Sequence, residues 1–91
     1  MDIPEKIESF VADIYFKLPN EINRDYVEIC TTISEFFDNN FLNNPELQEQ
    51  KDELLAYLLK VMEQNDYIKM ADVLYYNVKP ILEDAITVIN K

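Results

Sequence analysis

The residues that most resemble a metal site lie between Asp38 and Glu49. In the twelve-residue calcium loop of an EF-hand, oxygen ligands occupy positions 1, 3 and 12, and Asp38, Asn40 and Glu49 have that spacing. Position 5, however, is Leu42, and position 6, where the sharp turn requires glycine, is Asn43. We therefore expect a polar turn between two helices here, and no bound metal.

Three further acids, Glu49, Asp52 and Glu53, fall within one turn of a predicted helix. Di-iron bundles combine inward-facing Glu ligands with histidine, and this chain contains no histidine. The single cysteine, Cys30, also lacks a histidine to activate it, and the absence of glycine excludes the usual phosphate-binding loops. We predict a protein that is not an enzyme and takes no cofactor, with these acids facing solvent and Cys30 in or near the core.

The chain is strongly acidic, since 18 Asp and Glu oppose 8 Lys and Arg and give a formal net charge of −10. Such a surface repels phosphate groups, and the basic residues are scattered, so we expect no nucleic-acid and no membrane binding. No apolar run approaches the roughly 18 residues needed to cross a bilayer. Asp2, Glu5 and Glu8 replace the basic region of a signal peptide. A cytoplasmic location is the default prediction.

Asn, Asp and Pro mark the breaks between helices, because the 91 residues include no glycine. The breaks divide the chain into four segments in which apolar residues recur every three or four positions. We predict one all-α domain, an antiparallel four-helix bundle with up-down-up-down connectivity and its last helix kinked at Pro80. The helices are expected at about 3–18, 20–38, 45–63 and 66–89.

Two details of the apolar stripes give sharper expectations. The stripe of the second helix would include Asn40, and a buried unpaired amide is costly, so this helix should end before it. The stripe of the last helix continues to Val88 and Ile89, which are therefore expected in the core.

The last helix also carries apolar residues away from its core face. Val73, Tyr76 and Pro80 follow at i, i+3 and i+7, roughly opposite that face, and Phe16 lies on the far side of the first helix. Pro80 lacks the amide hydrogen that would bond to the carbonyl of Tyr76, which is why a kink is predicted there. These four residues are the candidate partner-binding surface. The alternatives are a homodimer interface, or a curved bundle whose rings lie across helix junctions.

A spaced pattern in the same helix consists of Asp66, Tyr67, Ala71, Asp72, Leu74, Tyr76 and Pro80. The pattern Asp-Tyr-x3-Ala-Asp-x-Leu-x-Tyr-x3-Pro resembles the C-terminal signature of an uncharacterised family of small bacterial all-helical proteins, over about the last quarter of the chain. The resemblance implies a bacterial helical domain and assigns no activity to any residue.

Two functions remain open on this basis. The first is a non-catalytic interaction domain, a chaperone- or adaptor-like bundle or a homodimer, that binds a partner protein or its own copy through Phe16, Val73, Tyr76 and Pro80. The second is an acidic mimic of DNA, or an inhibitor, that occupies a basic site on a partner protein. Binding that weakens steeply with salt would favour the second.

Overall fold

The structure is a computed structural model that describes residues 2–89, and it confirms an all-α four-helix bundle. The first helix, α1, spans Ile3–Asp13 and continues as a 3-10 turn, Ile14–Phe16. α2 spans Pro19–Phe41, and α3 spans Pro45–Glu63. None of the residues so described forms a strand.

The fourth helix, α4, covers residues 67–89 and changes its hydrogen-bonding pattern twice. An α segment at Tyr67–Asp72 is followed by a π segment at Val73–Val78 and by a final α segment at Lys79–Ile89. In the π segment an amide N–H bonds to the carbonyl five residues earlier instead of four. The predicted helix over the end of the chain is therefore present, with an irregular middle.

The π segment shows how α4 accommodates Pro80. In an α-helix the carbonyl of Tyr76 would need the amide hydrogen of residue 80, which proline lacks. When bonds span five residues, each carbonyl pairs with an N–H one position further along the chain than in an α-helix. The N–H of Lys79, for example, donates to the carbonyl of Leu74. The distortion predicted beside Pro80 is thus found as a π segment that directly precedes it.

Local signals explain where the helices begin. Side-chain oxygens of Asp2, Asn44 and Asp66 accept hydrogen bonds of 2.9–3.2 Å from backbone amides three residues further on, at the starts of α1, α3 and α4. Pro19 begins α2 at a position where its missing N–H costs nothing. Asn65 takes a φ of 55° in the turn before α4, the left-handed conformation that asparagine tolerates.

The ends of the first two helices differ from the prediction. The helical conformation of the first segment stops at Phe16, because the residue before Pro19 is disfavoured in the α region, and Leu18 is extended. The expectation that the second helix ends before Asn40 is wrong. Asn40 stays in α2 and is exposed, and its side-chain amide donates a 2.8 Å hydrogen bond to the backbone carbonyl four residues earlier.

All four helices contribute to one core. Its fully buried side chains include Ile7, Tyr26, Ile33, Phe37, Leu58, Val61, Met70, Leu74, Val78 and Leu82. Consecutive helices pack side by side, and α4 packs on α1 to close the bundle. The one buried hydroxyl in this set is satisfied, because Tyr26 donates a 2.7 Å hydrogen bond to the carbonyl of Leu58.

α1 and α4 run antiparallel. Lys79 of α4 forms an ion pair with Glu8 of α1 at 2.8 Å between Nζ and Oε1. Ile86, two turns further along α4, lines the same groove as Ile3 near the start of α1. Residues at the end of α1 are therefore level with the first half of α4.

Candidate functional site

The Asp38–Glu49 segment forms parts of two helices and the short turn between them. Asp38 and Asn40 belong to α2, Glu49 belongs to α3, and Asn44 caps α3, which is the polar turn that the sequence predicts. Asp38 accepts a 2.9 Å hydrogen bond from the ammonium group of Lys51. Within residues 2–89, no three Asp, Glu or Cys side chains converge in a way that could hold a metal ion.

The cysteine thiol is buried on α2, as expected from its place near the apolar stripe. Burial raises the pKa of Cys30 to about 11. The thiol therefore stays protonated at neutral pH, and a protonated thiol is a poor nucleophile and a poor metal ligand.

Native Cys30 is expected to react with a disulfide reagent such as DTNB about a hundredfold more slowly than an ordinary thiol at about pH 8. The reason is that, at this pH, the ionised fraction of a thiol of pKa about 11 is roughly a hundredth of the ionised fraction of an ordinary thiol. The core also excludes the reagent. Release of the chromophore gives the rate, and the same protein unfolded in guanidinium is the control. Equal rates before and after unfolding would show that the core does not protect this thiol.

Val73 does not belong to the predicted surface. Its side chain is only 6% exposed and packs in the core, so the prediction that it faces away from the core is wrong. That prediction assumed the rotation of an α-helix at every residue. In a π segment the neighbours along one face lie five residues apart, which is the spacing of the buried Val73 and Val78.

Tyr76 is exposed on the π segment, with 70% of the side chain accessible. Its ring meets the ring of Tyr75 edge to face, with 5.2 Å between the centroids. The Nζ atom of Lys79 lies 4.7 Å from the centre of the Tyr75 ring and is itself held by Glu8. A chain of contacts thus connects α1, through Lys79 and Tyr75, to Tyr76.

Phe16 and Pro80 are exposed as well. Phe16 lies in the 3-10 turn after α1, and 86% of its side chain is accessible. Because Glu8 and Lys79 are level, a rise of 1.5 Å per residue places Phe16 on the order of 8 Å beyond Tyr76 along the bundle axis. The structure therefore brings three of the four predicted residues to neighbouring levels of the surface and places the fourth in the core.

A second surface, which the sequence analysis did not identify, lies at the C-terminal end of α4. An apolar groove of about 230 Å³, here termed the end groove, is lined by Phe41, Leu47, Gln50, Ile81, Asp84, Ala85 and Val88. Only Leu82 of the final α segment is buried. Val88 and Ile89, which were expected in the core, are 61% and 40% exposed, so that expectation is wrong.

A cluster of phenylalanine rings forms the neighbouring part of the core. The rings of Phe36, Phe37 and Phe41 pack on one another with centroids 5.6–6.0 Å apart. Phe36 and Ile86 also line another groove on the α1 side of α4. The last turns of α4 consequently lie between two grooves, with few neighbours on either side.

Comparison with protein-family models, with curated proteins and with solved structures finds no match to this chain. The resemblance of α4 to a bacterial family therefore stays a prediction. In the part of the chain that the structure describes, no helix is long and apolar enough to cross a membrane.

Carboxylates dominate the segments that line the end groove. Residues 32–53 and 81–89 contain Glu35, Asp38, Glu46, Glu49, Asp52, Glu53, Glu83 and Asp84. Their only basic residue is Lys51, whose Nζ lies 2.9 Å from a carboxylate oxygen of Asp38 and 3.7 Å from one of Asp52. Within the described residues, these two segments therefore carry a negative charge that is largely uncompensated.

Proposed function

We propose that this chain is a non-catalytic protein-binding domain that docks another protein through the surface formed by Phe16, Tyr75, Tyr76 and Pro80, here termed the tyrosine surface. The observation that carries the proposal is the tyrosine pair, which is exposed at Tyr76 and contacted at Tyr75 by Lys79. Aromatic side chains are enriched at protein interfaces because they bury a large area. Rings that are already ordered lose little further entropy on binding.

Phe16 extends this surface along the bundle axis. An interface of standard size covers about 800 Å² on each partner, and its width exceeds the axial offset, on the order of 8 Å, between Phe16 and Tyr76. Burial of an exposed phenylalanine ring removes apolar area from water and so adds directly to affinity. The surface therefore combines a centre of packed aromatic rings with an apolar extension.

The occupant that we propose is a different protein, as for an adaptor or a chaperone. A second copy would carry the same formal net charge of −10, and repulsion between two such copies opposes self-association. A cytoplasmic location belongs to the same proposal, since a single thiol held in the core fits a reducing compartment.

Affinity capture with the purified chain tests the proposal. Tyr76→Ala is expected to lower the yield of a specific captured protein by about tenfold or more, because the central aromatic residue of an interface carries much of the binding energy. Tyr57→Ala is the matched control, since Tyr57 is a 43% exposed tyrosine on α3. Identical capture by the wild type and both variants, with all three folded by circular dichroism, would contradict the tyrosine surface.

The acidic mimic of nucleic acid is the second candidate. It is favoured by the position of the carboxylates, since no charged side chain within the described residues is buried. If the chain acts as such a mimic, Tyr76→Ala should have no effect in the same capture experiment. Binding should instead be lost as the salt concentration is raised from about 0.05 to 0.5 M. Light scattering of the free chain adds the remaining outcome, because a dimer that Tyr76→Ala dissociates would make the tyrosine surface a homodimer interface.

A further inference from the structure

The end groove has the dimensions of a site for side chains. Its volume of about 230 Å³ lies below the roughly 300–1,000 Å³ of typical cofactor and small-molecule pockets. Its lining is mainly aliphatic and aromatic, with contributions from α2, α3 and α4. A groove between helices with such a lining is suited to receive apolar side chains from a helix of another protein.

The apolar surface continues beyond the groove itself. Leu42 follows the lining residue Phe41 and is 69% exposed, and Ile89 follows Val88 and is 40% exposed. A helix that places one side chain in the groove would therefore find further apolar contacts nearby. Side chains at i, i+3, i+4 and i+7 of the docking helix form the matching stripe.

The charge of the surroundings selects the docking helix. The segments that line the groove carry many carboxylates, and their only lysine is already paired with Asp38. Lys and Arg beside the apolar stripe of a partner would meet carboxylates that form no ion pair within residues 2–89, whereas a second copy of this chain would bring the same negative charge. We propose that the end groove binds a Lys- and Arg-rich amphipathic helix of another protein.

The inference does not depend on use of the tyrosine surface, because the end groove lies at the C-terminal end of α4 and shares no lining residue with it. Tyr76→Ala should leave binding at the groove unchanged. Failure of one site therefore leaves the other open to its own test.

A synthetic peptide provides the probe. A fluorescein-labelled helix of about 18 residues, with Leu at i, i+3, i+4 and i+7 and Lys elsewhere, is titrated with the full chain and followed by anisotropy. Val88→Asp places a charge in the groove and is expected to weaken binding by about tenfold or more. Val27→Asp is the matched control: Val27 is also exposed, at 43%, and lies on the order of 20 Å from Phe41 along α2.

The two variants separate groove binding from simple charge attraction. Both add one negative charge, which by itself would tighten binding of a cationic peptide, so weakening by Val88→Asp alone supports the groove. A peptide of the same composition with Leu dispersed around the helix should also bind about tenfold more weakly. Amide chemical shifts of the wild type should change mainly within 41–50 and 81–89 on binding.

Three results would overturn the inference. The first is equal affinity of the wild type and Val88→Asp, and the second is equal affinity of the patterned and dispersed peptides, which would show attraction by charge alone. The third is a wild-type dimer in light scattering that Val88→Asp converts to monomer, because the groove would then bind a second copy of the chain.

Discussion

Replacement of Val73 by aspartate is expected to lower the free energy of unfolding by about 3–5 kcal/mol, because it places an unpaired carboxylate in the core. The Val73 side chain is 6% exposed and lies on a face that it shares with Val78. A chain of 91 residues has a stability of roughly 5–14 kcal/mol at about 0.05–0.15 kcal/mol per residue. The variant should therefore lose a large part of its stability, and a wild-type stability at the lower end of this range would leave it partly unfolded at room temperature.

Tyr76→Asp provides the control for Val73→Asp. It introduces the same charge three residues further along the same π segment, at a side chain that is 70% exposed. Its stability should stay within about 0.5 kcal/mol of the wild type. Urea unfolding followed by circular dichroism measures both variants, and equal midpoints would contradict the burial of Val73.

Phe37→Ala should have a destabilising effect of similar size. The Phe37 ring is fully buried and packs edge to face against Phe36 and at a tilt against Phe41. Its removal leaves a cavity that the surrounding helices fill only in part, at a cost of about 3–5 kcal/mol. For a domain of this size, the thermal midpoint should fall by on the order of 20 °C.

Phe36→Ala is the matched control for Phe37→Ala, because it removes the same side chain from the adjacent, partly buried position. We expect a loss of about 1–2 kcal/mol there, since part of the ring is already in water. Thermal unfolding by differential scanning calorimetry distinguishes the two. Equal effects of the two substitutions would contradict the difference in burial between the two rings.

Much of the fold is predictable because apolar spacing and caps agree along the chain. Asn44 and Asp66 cap α3 and α4 at breaks of the kind that the sequence marks with Asn and Asp, and α3 has the predicted bounds. The errors occur where tertiary contacts outweigh a local cost. Asn40 remains helical because its amide finds a backbone partner and Phe41, one residue on, packs against the phenylalanine cluster.

The candidate surfaces are predictable to different degrees. Exposure of Phe16 and Tyr76 follows from their places off the apolar stripes, whereas burial of Val73 requires knowledge of the π segment. The end groove has no local signature. Phe41, Leu47 and Val88 come from three helices and become neighbours only when the bundle has formed, so periodicity within each helix cannot reveal it.

The π segment also changes the direction in which the later side chains of α4 point. Each residue after it takes the direction that an uninterrupted α-helix would give to the residue one position earlier, which is a lag of one residue. At about 100° per residue, a continuous α-helix would align Val88 with the buried Met70 and turn Leu82 about 120° away. A lag of one residue instead brings Leu82 to within about 20° of Met70 and rotates Val88 by about 100°. The observed burial of Leu82 and exposure of Val88 match the helix with this lag. The π segment at Val73–Val78 therefore determines the direction of the side chains that α4 contributes to the end groove.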